Sequence, residues 1–247
     1  MSTACVIVIG NEILSGRTQD VNLNWLASQL NTAGIRLREA RVIPDVPEII
    51  IKTVNECRAA YDYVFTTGGI GPTHDDITSE CVSQAFGVPY ERHKEAEALL
   101  VQHYSPDMLN EARLRMADMP RGATLIPNPV STAPGYIIGN VYVMAGVPRI
   151  MQAMFDGIKH TLKGGKPVLS TTISIFLTEG TIAKGLTEIQ NRFPDVEIGS
   201  YPFVRNNKLG TSLVSRHTDP SRLEQVKSEL VSFLTSLGGE PLIEDAA

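Results

Sequence analysis

Tyr61-Asp62-Tyr63-Val64-Phe65-Thr66-Thr67-Gly68-Gly69-Ile70-Gly71-Pro72-Thr73-His74-Asp75-Asp76-Ile77-Thr78 decides the fold. It opens apolar and β-prone at Tyr63, Val64 and Phe65, as a buried strand does. It then turns through Gly68, Gly69 and Gly71, passes Pro72-Thr73, and takes up a helical pattern at about Asp75. A strand, a glycine loop and a helix in that order aim backbone N–H groups and a helix's positive end at an anion. Thr73 and Asp76 are spaced as a capping box, which marks the helix start. Glycine-rich turns of this kind also serve close packing alone. Asp75 and Asp76 sharpen the choice, because bare carboxylates repel a phosphate. Either they only cap the helix, or a cation stands between them and a phosphorylated ligand. A metal-assisted phosphoryl site requires the second arrangement.

Upstream, Cys5 to Ile9 is a continuous apolar run closing on Gly10, which suits a parallel strand covered on both faces. Gly10-Asn11-Glu12-Ile13-Leu14-Ser15-Gly16 follows at the strand's C-terminal end, where open α/β sheets bind ligands. Leu23, Leu26, Ala27, Leu30 and Ala33 form one helical stripe stopped by Gly34, with Trp25 off it. Ile35 to Ile43 reads as a second strand, and Pro47 fits the first turn of a helix carrying Ile50, Val54 and Cys57. Asp45, between them, either caps that helix or is a third carboxylate pointing into the crevice shared by Gly10 and Gly68.

Downstream, Val82, Ala85 and Phe86 carry a helix to Gly87. Residues 93–119 read as two helices broken near Ser105-Pro106, with Arg113 and Arg115 on solvated faces or, as the lesser alternative, reaching a phosphate. A short strand spans Ala123 to Ile126, and Pro127 to Gly135 is a loop rich in turn residues and hydroxyls. A hairpin follows around Gly139-Asn140, so the sheet is mixed but mostly parallel. Ala145 to Pro148 leads into a helix with Ile150, Met154 and Ile158.

Lys163-Gly164-Gly165-Lys166-Pro167 reads as a linker dividing residues 1–165 from 166–247. The second part alternates as βαββα, a small two-layer α+β domain. It has no glycine loop and no carboxylate cluster, so packing or interaction is its default role. Glu240 to Ala247 are expected to fray.

Composition narrows the function. The net charge of -5 and pI near 5.6, with no basic run, argue against a nucleic-acid partner. No apolar segment approaches the roughly 20 residues that span a bilayer. The N-terminus passes straight into a strand without a basic leader region, so a cytoplasmic protein is expected. Cys5, Cys57 and Cys81 read as small buried hydrophobes in a reducing compartment, with no spacing that links them. Walker, dinucleotide-fingerprint, zinc-histidine and Gly-x-Ser-x-Gly patterns are absent from the sequence. His74 is either a metal ligand or proton carrier, or simply a polar loop residue.

Together these stretches resemble the molybdopterin-binding domain family of the MoaB/Mog type, in the version found at the N-terminus of CinA (competence/damage-inducible) proteins. The likeness runs from about Ala4 to Met154. It rests on Gly10 to Gly16 followed by Asn22 and Asn24, on Pro44-Asp45, on Thr67 to Thr78, and on Thr132-Ala133-Pro134-Gly135 with Gly146-Val147-Pro148. The resemblance implies a three-layer α/β/α core with a nucleotide or pterin in its crevice. It also implies either metal-dependent hydrolysis of ADP-ribose or a similar dinucleotide, or a role in molybdenum cofactor assembly by pterin binding or adenylyl transfer. A non-catalytic nucleotide-binding module is the third possibility.

By that likeness Asp45 and Asp76 are the catalytic acids. Asp75 and Asp76 hold a divalent metal (Mg²⁺, Mn²⁺ or Co²⁺). Gly10, Asn11, Glu12, Asn24, Thr67, Gly68, Gly69, Gly71, Thr73, Ser131, Thr132, Pro134, Gly135 and Gly146 line the ligand site. A homo-oligomer, taken as a dimer, is expected. Arg149, Ser131 and Arg115-Met116-Ala117 depart from common family residues. The C-terminal amidase domain of full-length CinA proteins is not expected here.

Overall fold

A computed structural model describes residues 2–244. The chain divides into two compact units, Met1–Gly165 and Lys166–Ala247.

In the first unit, β1 (Thr3–Ile9) leads through a one-turn helix α1 (Asn11–Leu14) into α2 (Asn22–Thr32), β2 (Arg36–Ile43), α3 (Pro47–Ala60) and β3 (Tyr63–Thr67). After the glycine loop come α4 (Thr78–Phe86), β4 (Tyr90–Arg92), α5 (Lys94–His103), α6 (Glu111–Leu114), β5 (Asp118–Pro120) and β6 (Thr124–Ile126). The hairpin β7 (Gly135–Ile138) and β8 (Val141–Met144) and the helix α7 (Pro148–Ile158) complete the unit. Six strands form one sheet in the order β2-β1-β3-β8-β7-β6. The first four run parallel; β7 runs antiparallel to both of its neighbours, giving the mixed sheet.

The apolar run of β1 explains the layering. Alternate residues of a strand face opposite sides of a sheet. Cys5, Ile7 and Ile9 join a core with Ile50, Val54 and Cys57 of α3 and Val82 of α4. Ala4, Val6 and Val8 join a second core with Leu26 and Leu30 of α2 and Met151, Met154 and Phe155 of α7. Both faces of β1 are therefore buried, the condition for a parallel strand without polar alternation. Trp25 is half-buried, edge-on to Phe155 with ring centroids 5.5 Å apart.

Residues 93–119 differ from the two-helix expectation. Only Lys94–His103 and the single turn Glu111–Leu114 are α-helical. The last residues extend into β5, which pairs antiparallel with β4 as a separate two-stranded ribbon. Arg92, on β4, ties the segment together by meeting Asp118, Glu111 and Glu97. Charge pairs across the ribbon leave no period in the sequence, which is why the strands escaped the pattern.

The second unit packs α8 (Glu179–Arg192) and α9 (Pro220–Ser236) on one face of an antiparallel sheet. Its strands are β9 (Leu169–Ile175), β10 (Glu197–Arg205), β11 (Lys208–His217) and β12 (Leu242–Glu244), in the order β10-β11-β9-β12. Asn206 and Asn207, at φ 52° and 60°, make the tight hairpin turn between β10 and β11. β12 corrects the fraying expected from Glu240 onward, since Leu242–Glu244 pair with β9. Residues 245–247 of that stretch lie outside those described.

Candidate active-site cleft

The glycine loop leaves β3 in a conformation that only glycine adopts easily. Gly68 and Gly69 have φ of 104° and 68°. A Cβ on Gly68 would lie 2.1 Å from the Ile9 carbonyl oxygen, and one on Gly69 would lie 2.2 Å from Thr78 Oγ1. The loop is pinned from both ends. The Gly68 amide donates to Met144 O at 3.2 Å, the Thr78 amide to Gly69 O at 3.0 Å, and the Thr78 hydroxyl to Gly68 O at 3.0 Å. Among the described residues the amides of Gly69, Ile70 and Gly71 have no internal acceptor. Three consecutive N–H donors are thus left open, the kind of group that can accept an anion.

The helix after the loop starts at Thr78, later than the sequence pattern indicated. Thr73 and Asp76 are bonded as their spacing predicts, yet they close a turn ahead of the helix rather than capping it. Asp76 Oδ2 accepts from the Thr73 amide at 2.8 Å and from its hydroxyl at 2.5 Å. This bond holds the Asp76 carboxylate against Gly71, where a Cβ would meet Oδ2 at 2.7 Å. Asp75 points elsewhere. It is exposed beside His74.

Facing the loop is a cleft of about 530 Å³. Glu12, Gly68, Gly69, Gly71, Asp76, Ser131 and Gly146 line it, all of them anticipated from sequence. Glu12 folds back over Gly10, where a Cβ would meet its Oε1 at 2.5 Å. Among the described residues neither Glu12 nor Asp76 pairs with a basic side chain. Arg115 borders a narrow crevice that also includes Gly71 and Asp76. Arg113 instead stacks over the Tyr104 ring, 4.7 Å from its centroid.

The other anticipated residues support or flank the cleft. Asp45 does not cap α3, whose first turn has no side-chain cap. Its Oδ2 accepts from the Asn11 amide at 2.8 Å, fixing the turn that carries Glu12. Asp45, Asp75 and Asp76 thus do not converge into one three-carboxylate cluster. Gly10 and Asn11 shape that turn rather than line the cleft. Thr67 ends β3 fully buried, its hydroxyl without a partner among the described residues. Thr73 serves Asp76. Asn24 is exposed and faces a separate shallow groove with Leu37 and Arg38, because a helix turns its face between positions 22 and 24. Gly135 is a packing residue of β7, where a Cβ would meet Val143 O at 2.4 Å. Thr132 and Pro134 stand beside the cleft; Thr132 has φ 69° and its hydroxyl lies 3.0 Å from His103 Nδ1.

Two supporting asparagines carry more than the sequence reading assigned. Asn22 is buried, and its Nδ2 donates to Gly146 O at 2.7 Å, joining α2 to the late loop. Asn128 organises the loop after β6. Its Nδ2 donates to Ser131 Oγ at 2.7 Å and Ala133 O at 2.8 Å, while its Oδ1 accepts the Val130 and Ser131 amides. Its place between Pro127 and Pro129 was the available signal. Asn128 itself, Thr18, Met116 and an apolar wall that includes Ala145, Val147 and Ile150 also line the cleft.

Residues 5–164 match the family described as the probable molybdopterin binding domain. The chain belongs to this family. Beyond the molybdopterin-binding-type domain, residues 167–238 match the middle domain of FAD synthase, not an amidase. A protein of Pyrobaculum calidifontis is 38% identical over 213 residues, covering 82% of this chain and 81% of its own. A probable FAD synthase of Caenorhabditis elegans is 32% identical over 94% of this chain, which spans 50% of that protein's length. Among solved structures, a CinA protein of unknown function from Thermoplasma acidophilum is similar at 33% identity and TM-score 0.62. It covers 65% of this chain and 97% of that one. No described helix is long and apolar enough to cross a membrane.

Proposed function

We propose that the molybdopterin-binding-type domain hydrolyses the pyrophosphate of a dinucleotide of the ADP-ribose or FAD class. The observation that carries this reading is the juxtaposition, in one cleft, of three free loop amides with the unpaired carboxylates of Glu12 and Asp76. Amides attract a phosphate and carboxylates repel it, so the two are compatible only with a cation between them. The donor set fits: both carboxylates offer hard oxygen ligands, and each is held against a glycine that leaves room in front of it. Glu12 and Asp76 would hold Mg²⁺, Mn²⁺ or Co²⁺. When bound, the cation neutralises charge that builds on the phosphoryl oxygens.

The chain supplies the rest. The Gly69, Ile70 and Gly71 amides orient the pyrophosphate. Arg115 adds positive potential beside Asp76. A carboxylate in the cleft accepts the proton of the attacking water. Asp45 acts through Asn11, as the positioning residue for Glu12. The apolar wall of Met116, Val147 and Ile150 receives a base or flavin-like ring. The likeness of residues 167–238 to FAD synthase favours a flavin or adenine dinucleotide among pyrophosphates.

The test is incubation of the pure protein with ADP-ribose or FAD and each divalent cation in turn. AMP release, lost in Asp76→Asn, supports the proposal. No AMP with any metal, or unchanged turnover in Asp76→Asn, overturns it. The family match favours a second reading, in which the same cleft holds a pterin. Tight molybdopterin binding without hydrolysis would select that one.

A further inference from the structure

The three cysteines have no linking pattern in the sequence, yet folding brings two of them together. Cys5 on β1 and Cys57 on α3 are fully buried on the side of the sheet away from α2 and α7. The Cys5 thiol donates to Cys57 Sγ at 3.4 Å. Glu39 on β2 stands beside them, with its carboxylate within 4.8 Å of both sulfurs.

Three such groups resemble a metal site, but the third ligand is already engaged. Arg41 Nε donates to Glu39 Oε1 at 2.7 Å, and the Tyr61 hydroxyl donates to Oε2 at 2.7 Å. Arg41 also pairs with Glu56 on α3. A guanidinium inside the group opposes a divalent cation and favours a thiolate. The ionisable groups facing the pair are thus Glu39, Arg41, Glu56 and Tyr61. Donation from Cys5 draws the Cys57 thiol below its ordinary range, with Arg41 assisting and burial opposing; the Cys5 thiol is pushed up. Cys81 is also buried, and desolvation pushes its thiol up to about 11.

We propose that Cys5 and Cys57 are a redox modification site, a dithiol that hydrogen peroxide closes into an intrachain disulfide. The sulfurs need to approach by about 1.4 Å from their 3.4 Å separation to reach bonding distance. In the first step the Cys57 thiolate attacks a peroxide oxygen. An S–O bond forms, the O–O bond breaks, and hydroxide leaves to become water; Cys57 is now a sulfenic acid. In the second step the Cys5 sulfur attacks Cys57 Sγ. The S–S bond forms, the S–O bond breaks, and the hydroxyl departs as water with the Cys5 proton. Two thiols are oxidised and one peroxide is reduced to two waters. A small neutral oxidant suits a site this buried, since it needs only local opening to enter.

The experiment treats the folded full chain with hydrogen peroxide, quenches it, denatures it and counts thiols. The expected count falls from three to one, with an intact-mass loss of about 2 Da. Peptide mapping joins Cys5 to Cys57 within one chain, and dithiothreitol restores all three thiols. Cys81→Ala, away from the pair, leaves the same disulfide forming. Cys57→Ala abolishes the two-thiol loss; because the wild-type mapping stands without any variant, a Cys57→Ala protein that does not fold leaves the test intact. Three thiols surviving, oxygen added to a single cysteine, or a bridge involving Cys81 or a second chain each overturns the proposal. So does one tightly held Zn²⁺ per chain that shields both thiols, which would make the group a metal site.

Discussion

In the small domain Asp195, Glu197, Glu229 and Glu244 each meet an arginine, at distances from 2.5 to 3.3 Å. In the cleft of the large domain Glu12 and Asp76 meet none. The small domain's pairs are partly or fully exposed, and such pairs add little stability. The cleft's carboxylates are held in place by a threonine and by glycines, with their charge left open. The contrast separates charge that is paired within the chain from charge that is left without a basic partner among the described residues. Both domains use left-handed backbone turns, so the contrast lies in charge and not in backbone handedness.

The largest effect that sharpens the contrast is expected at Asp76. Asp76→Asn keeps the shape and the acceptor for Thr73 but removes the charge. AMP release should fall by roughly 100-fold or more, while the melting temperature stays the same or rises. A parallel loss of melting temperature would mean that the charge serves the fold. Next is Gly68→Ala, which forces a Cβ against the Ile9 carbonyl at positive φ. It should cost about 2–4 kcal/mol in urea unfolding. The matching change in the small domain, Asn207→Ala at its hairpin turn, puts a residue unsuited to positive φ there without crowding and should cost about 1 kcal/mol. Equal costs would show that backbone handedness alone, rather than crowding by Ile9, governs both turns. Asp45→Ala frees the Asn11 amide, and activity should fall by about 10-fold with substrate affinity changed less than turnover.

The smallest effect concerns a settled charge. The Arg222 guanidinium beside Asp195 holds that carboxyl down to about 2, from an ordinary 3.8. A carboxyl depressed on folding adds stability that is complete above its unfolded pKa and is lost as pH falls through the folded value. Wild type should therefore melt slightly above Arg222→Gln at pH 7 and pH 5. The gap should shrink below pH 3.8 and close near 2. A gap that persists in acid would point to the stacking of Arg222 on Phe193, 4.9 Å from the ring centroid.

Much of this was legible in the chain. The apolar run at Cys5 to Ile9 and the glycine loop at Gly68 to Gly71 gave the parallel sheet and the place of the cleft, because both depend on local sequence. Glu12, Asp76 and Gly146 were named from the family resemblance, and the fold brings them to one cleft. What escaped depends on distance through space. The contact of Cys5 with Cys57 arises only when β1 lies beside α3. Asn22 rather than Asn24 meets the late loop because of helix phase, which sequence spacing left open. Asp45 and Asp76 do not share a site as closely as the three-aspartate reading required, since each has a backbone partner of its own.

The most direct test of the open-charge account is the affinity of the intact protein for ADP-ribose, measured by calorimetry with and without Mg²⁺. The account predicts that Mg²⁺ tightens binding at least about 10-fold in the wild-type protein and has little effect in Asp76→Asn. Binding that ignores Mg²⁺ in both proteins, or no binding in either, would contradict it.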